Sequence, residues 1–195
     1  RIANVFTKSG TLNVTTNTPN TVEYNSTGAQ SVVNTTYNNL ILSTGGTKTA
    51  AGAITVNNDF TIGSSTTFNA SSYTFSLYRH FTNNGTFTAG TSTVQLLGGN
   101  VANITGATTF NVLVENKNSA TISVNLLNNI ITNDLTLTAG NMQTGSSRVT
   151  VTGTRSGNGI IIGTITHSHA FSNGTAYYFE GPNNSITFTS PSGVT

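Results

Sequence analysis

The chain has 195 residues and a net charge of +2, and one residue in five is Thr and one in seven Asn. Charged residues make up 6%, against about 25% in typical soluble domains, which removes charge repulsion as a cause of disorder, while an apolar share rich in β-branched and aromatic residues argues for a packed chain. The seven Lys and Arg form no patch for nucleic acid, no run of about 18 apolar residues marks a membrane-crossing helix, and the lack of Cys removes disulfides and thiol chemistry.

Read in chain order, the sequence is a succession of short alternating runs. They are TLNVTT (11–16), TVEY (21–24), LILS (40–43), AITVN (53–57), DFTI (59–62), YTFSLY (73–78), TVQLL (93–97), FNVLVE (110–115), DLTLT (134–138), RVTVTG (148–153) and SITFT (185–189). Period-2 alternation of β-formers, punctuated by Gly, Asn, Ser and Thr, predicts strands joined by turns. No 3.6-residue apolar period is present, so no helix is expected.

The runs recur. TTYNNLILS (35–43) returns as TTFNVLVEN (108–116), NNDFTI (57–62) as TNDLTL (132–137), and FNASSYTFSL (68–77) as MQTGSSRVTV (142–151), each 73 to 75 residues later. HFTNNGT (80–86) returns as HAFSNGT (169–175) after 89, which places an insertion of about 15 residues near 156–167. TVEYNSTGAQSVVNTTYNNL (21–40) matches 93–113, and 176–189 echoes 93–106. The reading is one domain, 1–195, with copies at about 35–107 and 108–189 and a partial copy at 9–34. A chain that starts and stops inside its repeat, without an initiator Met, reads as a piece of something longer.

Strands in a fixed-period repeat fit a β-sandwich or a β-solenoid. Absence of a linker, tolerance of one insertion and the thin core of a 74-residue sandwich favour the solenoid. The expected class is therefore all-β, a parallel β-helix or β-solenoid of roughly eight to nine coils with essentially no helix. Stacking of like positions predicts apolar ladders of Tyr37 with Phe110, Leu40 with Leu113, Ile62 with Leu137 and Phe68 with Met142. Asn58, Asp59, Asn133 and Asp134 are expected at turns, where Asn and Asp side chains bond the backbone. Scarcity of charge fits a stacked fold, since stacked like charges repel at every coil.

The phrases GAQSVVNTTYNNLILS (28–43), TNNGTFTAGTSTVQLLG (82–98) and NDLTLTAGNMQTGSSRVTVTG (133–153) resemble repeats of large secreted surface proteins of Bacteroidetes-type bacteria. The resemblance covers most of 21–155. It implies a parallel β-helix outside the cell or on the bacterial cell surface.

Candidate chemistry is sparse. The acids are Glu23, Asp59, Glu115, Asp134 and Glu180. Asp59 and Asp134 recur with the repeat, as a turn-former does and a convergent catalytic pair does not. His167 and His169 form an H-x-H that on a strand points both rings to one face, a candidate metal pair, but no third ligand accompanies it and surface or turn histidines account for it more simply. Thr-x-Thr pairs at 86/88, 136/138, 150/152, 164/166 and 187/189 are irregularly spaced, so no array for ice or sugar is expected from them. The expectation is a non-catalytic extracellular structural protein without cofactors, whose partner is itself, stacked head to tail into a filament. The alternative is a carbohydrate- or ice-binding adhesin or stalk segment. Neither nucleic acid nor membrane insertion is expected, and a lyase or hydrolase lacks the carboxylates it needs.

Overall fold

A computed structural model describes residues 1–195 except 5, 7, 8, 10, 11, 17, 169, 170, 179, 180, 182, 183 and 190–195. The chain winds as a succession of three short strands per turn, so that each turn contributes one rung to each of three faces. β1 (Thr21–Tyr24), β2 (Gln30–Val32) and β3 (Thr36–Tyr37) begin faces 1, 2 and 3. β4 (Asn39–Leu42), β5 (Thr47–Ala50) and β6 (Ile54–Val56) form the next turn, followed by β7 (Phe60–Ile62), β8 (Thr67–Asn69) and β9 (Thr74–Leu77). β10 (Phe81–Asn83), β11 (Thr86–Thr88) and β12 (Thr93–Gly98) form a fourth.

From β13 (Ala102–Thr105) onward the strands lengthen and run round corners. β14 (Thr108–Lys117) and β16 (Ile130–Ala139) each serve faces 2 and 3, separated on face 1 by β15 (Ser123–Leu126). β17 (Asn141–Val151) serves faces 1 and 2, β18 (Arg155–Ser156) face 3, and β19 (Ile160–His167) faces 1 and 2. All pairings among β1–β19 are parallel. The protein is an all-β solenoid of about eight turns, and no helix occurs among the described residues.

Alternation along each strand decides what is buried. In NLIL of β4, Leu40 and Leu42 are fully buried while Asn39 and Ile41 are half-buried. Stacking then builds columns. On face 1, Val22, Leu40, Phe60, Phe81, Ile104 and Leu126 lie one above another. On face 3, Ile54, Phe75, Val94, Leu113 and Leu135 do the same. Six phenylalanines, Phe60, Phe68, Phe75, Phe81, Phe87 and Phe110, meet across the three faces with centroids 5.3–6.1 Å apart. Each such pair adds about 0.5–1.5 kcal/mol beyond area burial, so the middle turns are the best-packed part of the solenoid.

The turns need special backbone in a few places. Gly106 has φ of 90°, and a Cβ there would lie 1.8 Å from the Asn83 carbonyl oxygen of the rung below. Only glycine fits both the left-handed conformation and the close approach. At the corner between faces 2 and 3, Tyr24 and Tyr37 close a buried ring of hydrogen bonds. Tyr37 Oη donates to the Val33 carbonyl (2.7 Å), Tyr24 Oη donates to Tyr37 Oη (3.0 Å), and the Val33 amide donates to Tyr24 Oη (3.1 Å). Burial first, then the Tyr24 hydroxyl, raises the Tyr37 phenol far above its ordinary value.

The expected ladders are corrected. All eight residues are buried, but the paired ones sit on different faces. Tyr37 stacks with Val56, Leu77 and Leu96 on face 3, whereas Phe110 begins the Thr132 and Val151 column of face 2. Leu40 and Ile62 are on face 1, but Leu113 and Leu137 are on face 3. Phe68 is on face 2 and Met142 on face 1. Every pair is separated by eleven strand segments, three turns and two-thirds of a fourth. The sequence repeat preserves strand and turn chemistry and rotates it by one face with each copy.

Residues 156–167 are likewise no loop leaving a coil. Ile161 stacks on Met142 and Ile165 on Val149, so the extra residues supply further rungs in register. The parallel pattern does end after β19. β20 (Ala176–Tyr178) and β21 (Ser185–Thr187) pair antiparallel, with Asn184 N–H donating to the Gly181 carbonyl (3.2 Å) at the reversal. Phe171, Tyr177 and Phe188 pack beneath this hairpin at 4.5–6.3 Å. The 176–189 echo of 93–106 is therefore not a further parallel coil.

Candidate functional site

The expected turn residues divide between two corners, as the one-face rotation requires. Asn58 and Asp59 lie between faces 3 and 1, and Asn133 and Asp134 between faces 2 and 3. Asp134 Oδ1 accepts from the Thr154 hydroxyl (2.5 Å) and amide (2.8 Å) one turn on, and these bonds hold its carboxyl below the ordinary range. Asn133 Nδ2 donates to Asp134 Oδ2 (3.2 Å). At the other corner, Asn58 Nδ2 donates to Asn39 Oδ1 (2.7 Å) of the preceding rung. Glu23 is engaged by Ser43 Oγ (2.7 Å) and Arg1 Nε (2.9 Å).

His167 ends the face 2 column above Val151, with Nε2 2.8 Å from the Gly153 carbonyl. His169, its expected metal partner, and Glu180 lie outside the described residues. No group of three or more His, Asp or Glu converges among the described residues.

Three features were not singled out from sequence. The first is a buried acid. Leu113, Glu115 and Lys117 alternate inward on β14, so Glu115 occupies the apolar face 3 column between Leu96 and Leu137. Glu115 is 0% and Lys117 2% exposed. Neither Glu115 carboxyl oxygen receives a well-formed hydrogen bond, the Val124 amide giving only a weak one, and the register slips directly after it. Gly140, with φ of 104°, makes the room: a Cβ there would lie 2.4 Å from Glu115 Oε1. Burial pushes the Glu115 carboxyl up to about 8, against weaker opposing fields from Lys117 and the Val124 amide. Lys117 Nζ donates instead to the Leu97 carbonyl (2.7 Å), and burial lowers its pKa. Strict alternation through VLVENK was the available signal.

The second is a hydroxyl grid on face 2. Thr47, Thr67 and Thr86 form one outward column, and Thr49, Asn69 and Thr88 the next. Strand geometry sets the columns about 6.7 Å and the rungs about 4.8 Å apart. Thr47/Thr49 is a Thr-x-Thr pair beyond the five considered above, and the middle rung carries Asn69 for its second Thr, so the regular spacing is masked in sequence.

The third is a cleft at the corner between faces 3 and 1, about 430 Å³ in volume, lined by Asn58, Arg79, His80, Asn100 and Val101. Arg79 Nη1 donates to Asn58 Oδ1 (2.9 Å), so the Asn39–Asn58 bond anchors the guanidinium. His80 Nδ1 accepts the Asn103 amide (3.1 Å). Burial chiefly, with Arg79 and Lys117, lowers the His80 pKa against the raising field of Asp59, so the ring is neutral with its proton on Nε2.

No protein family, curated protein or solved structure matches this chain.

Proposed function

We propose that the chain is a non-catalytic structural protein of the bacterial cell surface, a solenoid subunit that stacks end to end into a filament. The carrying observation is the run of parallel rungs itself: eight stack in register on face 1, and among the described strands the last, β19, pairs with β17 alone. An unpaired parallel edge is a template for another strand, and a heterologous end contact that does not close propagates as a fibre. At the other end, Ile2 and Val14 each make one parallel bridge to their own chain, to Tyr24 and Tyr37. The resemblance of the repeats to secreted surface proteins supports the extracellular setting. Electron microscopy of the purified chain at rising concentration tests the reading. Filaments whose subunit spacing matches eight rungs, about 40 Å at about 4.8 Å each, are expected, and dispersed monomers with both ends free refute it.

The face 2 grid favours a second reading, a stalk or adhesin that binds carbohydrate or ice through an ordered array of hydroxyls. Retention on crystalline polysaccharide or in growing ice, lost in T49K/T67K/T86K, is the expected result. No retention on either removes this reading.

A further inference from the structure

We infer that the cleft formed by Asn58, Arg79, His80, Asn100 and Val101 binds a carboxylate-bearing sugar unit of an acidic polysaccharide. It lies at a different corner from the hydroxyl grid and depends on neither assembly nor that grid.

The cleft presents donors with fixed directions. Arg79 is exposed, yet its guanidinium is tied through Nη1 to Asn58 Oδ1, and Asn58 is tied through Nδ2 to Asn39 Oδ1. Two side-chain amides on successive rungs therefore position a planar cation at the surface. A held guanidinium recognises a planar carboxylate through two parallel N–H···O bonds and loses less side-chain entropy in doing so. His80 adds a second donor. Its Nδ1 is occupied as an acceptor by the Asn103 amide, so the proton is on Nε2.

Size and composition point to a sugar rather than a bare anion. A volume of about 430 Å³ lies within the about 300–1,000 Å³ typical of small-molecule sites. The Asn100 amide and the 47%-exposed Val101 give one polar and one apolar contact beside the cation, as a ring bearing hydroxyls and C–H faces requires. Tyr78 stands next to Arg79 with 37% of its surface exposed. Its ring lies against Gly98, where a Cβ would be 2.8 Å from Tyr78 Cδ1. A larger residue at Gly98 would displace that ring. The opposing carboxylate, Asp59, is partly buried, with Oδ1 enclosed.

Affinity electrophoresis of the full chain in gels containing polygalacturonate, dextran sulfate or neutral dextran tests the site. Polygalacturonate is expected to retard the protein and neutral dextran to leave it unmoved. R79Q should weaken retardation at least tenfold, the loss of one charge-assisted pair. V101W fills the cleft without changing charge and should weaken it similarly. R148Q removes the same charge from an exposed position elsewhere and should bind as the parent does. Equal loss in R79Q and R148Q, unaltered binding in V101W, retardation by dextran sulfate alone, or full displacement by millimolar acetate would each overturn the assignment. The measurement is made on unassembled protein, so its outcome is separable from that of filament formation.

Discussion

Glu115 makes the stability of this solenoid depend on pH in a direction opposite to that of most carboxylates. Its carboxyl is fully buried between Leu96 and Leu137, without a well-formed hydrogen bond to either oxygen. The folded chain keeps this proton up to about pH 8, while an unfolded chain releases it near 4.5. Unfolding therefore releases a proton throughout that window, and stability falls as pH rises through it: fully present below 4.5, lost by about 8. At about 1.4 kcal/mol per pH unit the loss is about 5 kcal/mol, a large part of the about 5–15 kcal/mol that holds a domain together. For a chain of this size that is about 10–20 °C in Tm. His80, lowered by burial, contributes the opposite slope up to its ordinary 6.5, so the quantity to follow is the difference between parent and E115Q. Far-UV circular dichroism melts at pH 5, 6, 7 and 8 are expected to show that difference widening in favour of E115Q. E115L, which completes the apolar column, should gain most at pH 8. A difference constant to within about 3 °C, under about 1.5 kcal/mol, would refute the reasoning.

Phe81 touches Phe60, Phe87 and Phe110 and is 1% exposed, so F81A should cost about 3–5 kcal/mol in urea unfolding; a cost under about 1 kcal/mol would mean the middle turns are not the packed centre. G106A combines a left-handed backbone with a collision at 1.8 Å and should destabilise by more than the about 1 kcal/mol of an ordinary glycine site, whereas a neutral result would show that the corner relaxes. Y37F leaves the Val33 carbonyl without its donor and should cost about 1–3 kcal/mol, read from the same melts. Deletion of 60–80 removes one whole turn and should leave a cooperatively folded chain with Leu40 beneath Phe81. Deletion of 60–73, two strands of three, should not, and equal folding of both would deny that faces matter.

The strands were legible because alternation and turn residues are local. NLIL, TFSL and TVQLL carry their inward and outward assignments in sequence, and the solenoid follows once such runs recur without a linker. The columns were not legible. Tyr37 and Phe110 are equivalent in sequence and differ in face because the step of 73 residues is eleven strands, and strand count per turn is set by corner geometry that no single run encodes. Glu115 stood out for nothing in sequence, being one of five scattered acids, and only its place between Leu96 and Leu137 shows that it is buried. The cleft at Arg79 and His80 joins residues from three successive turns, so no local pattern announces it.

The eleven-strand step has a consequence for what the solenoid can present. Had the repeat closed on twelve strands, each copy would place the same residues on the same face, and any outward pattern would recur along one side. At eleven, FNASSYTFSL occupies faces 2 and 3 in one copy and its counterpart MQTGSSRVTV faces 1 and 2 in the next. The hydroxyl grid accordingly spans β5, β8 and β11 and gives way beyond them, where Ile131 stands in the outward column between Thr109 and Thr150. The interior tolerates the rotation because each column asks only for an apolar residue of suitable volume, so Phe, Leu, Ile, Val and Met exchange freely across faces. The exterior does not, because a surface site needs particular groups at particular corners. A repeat that rotates is therefore suited to building length and ill-suited to multiplying a site. The cleft at Arg79 follows this rule: 74 residues on, its counterpart in the next copy is Gly153, which lies at the corner between faces 2 and 3 and carries no side chain.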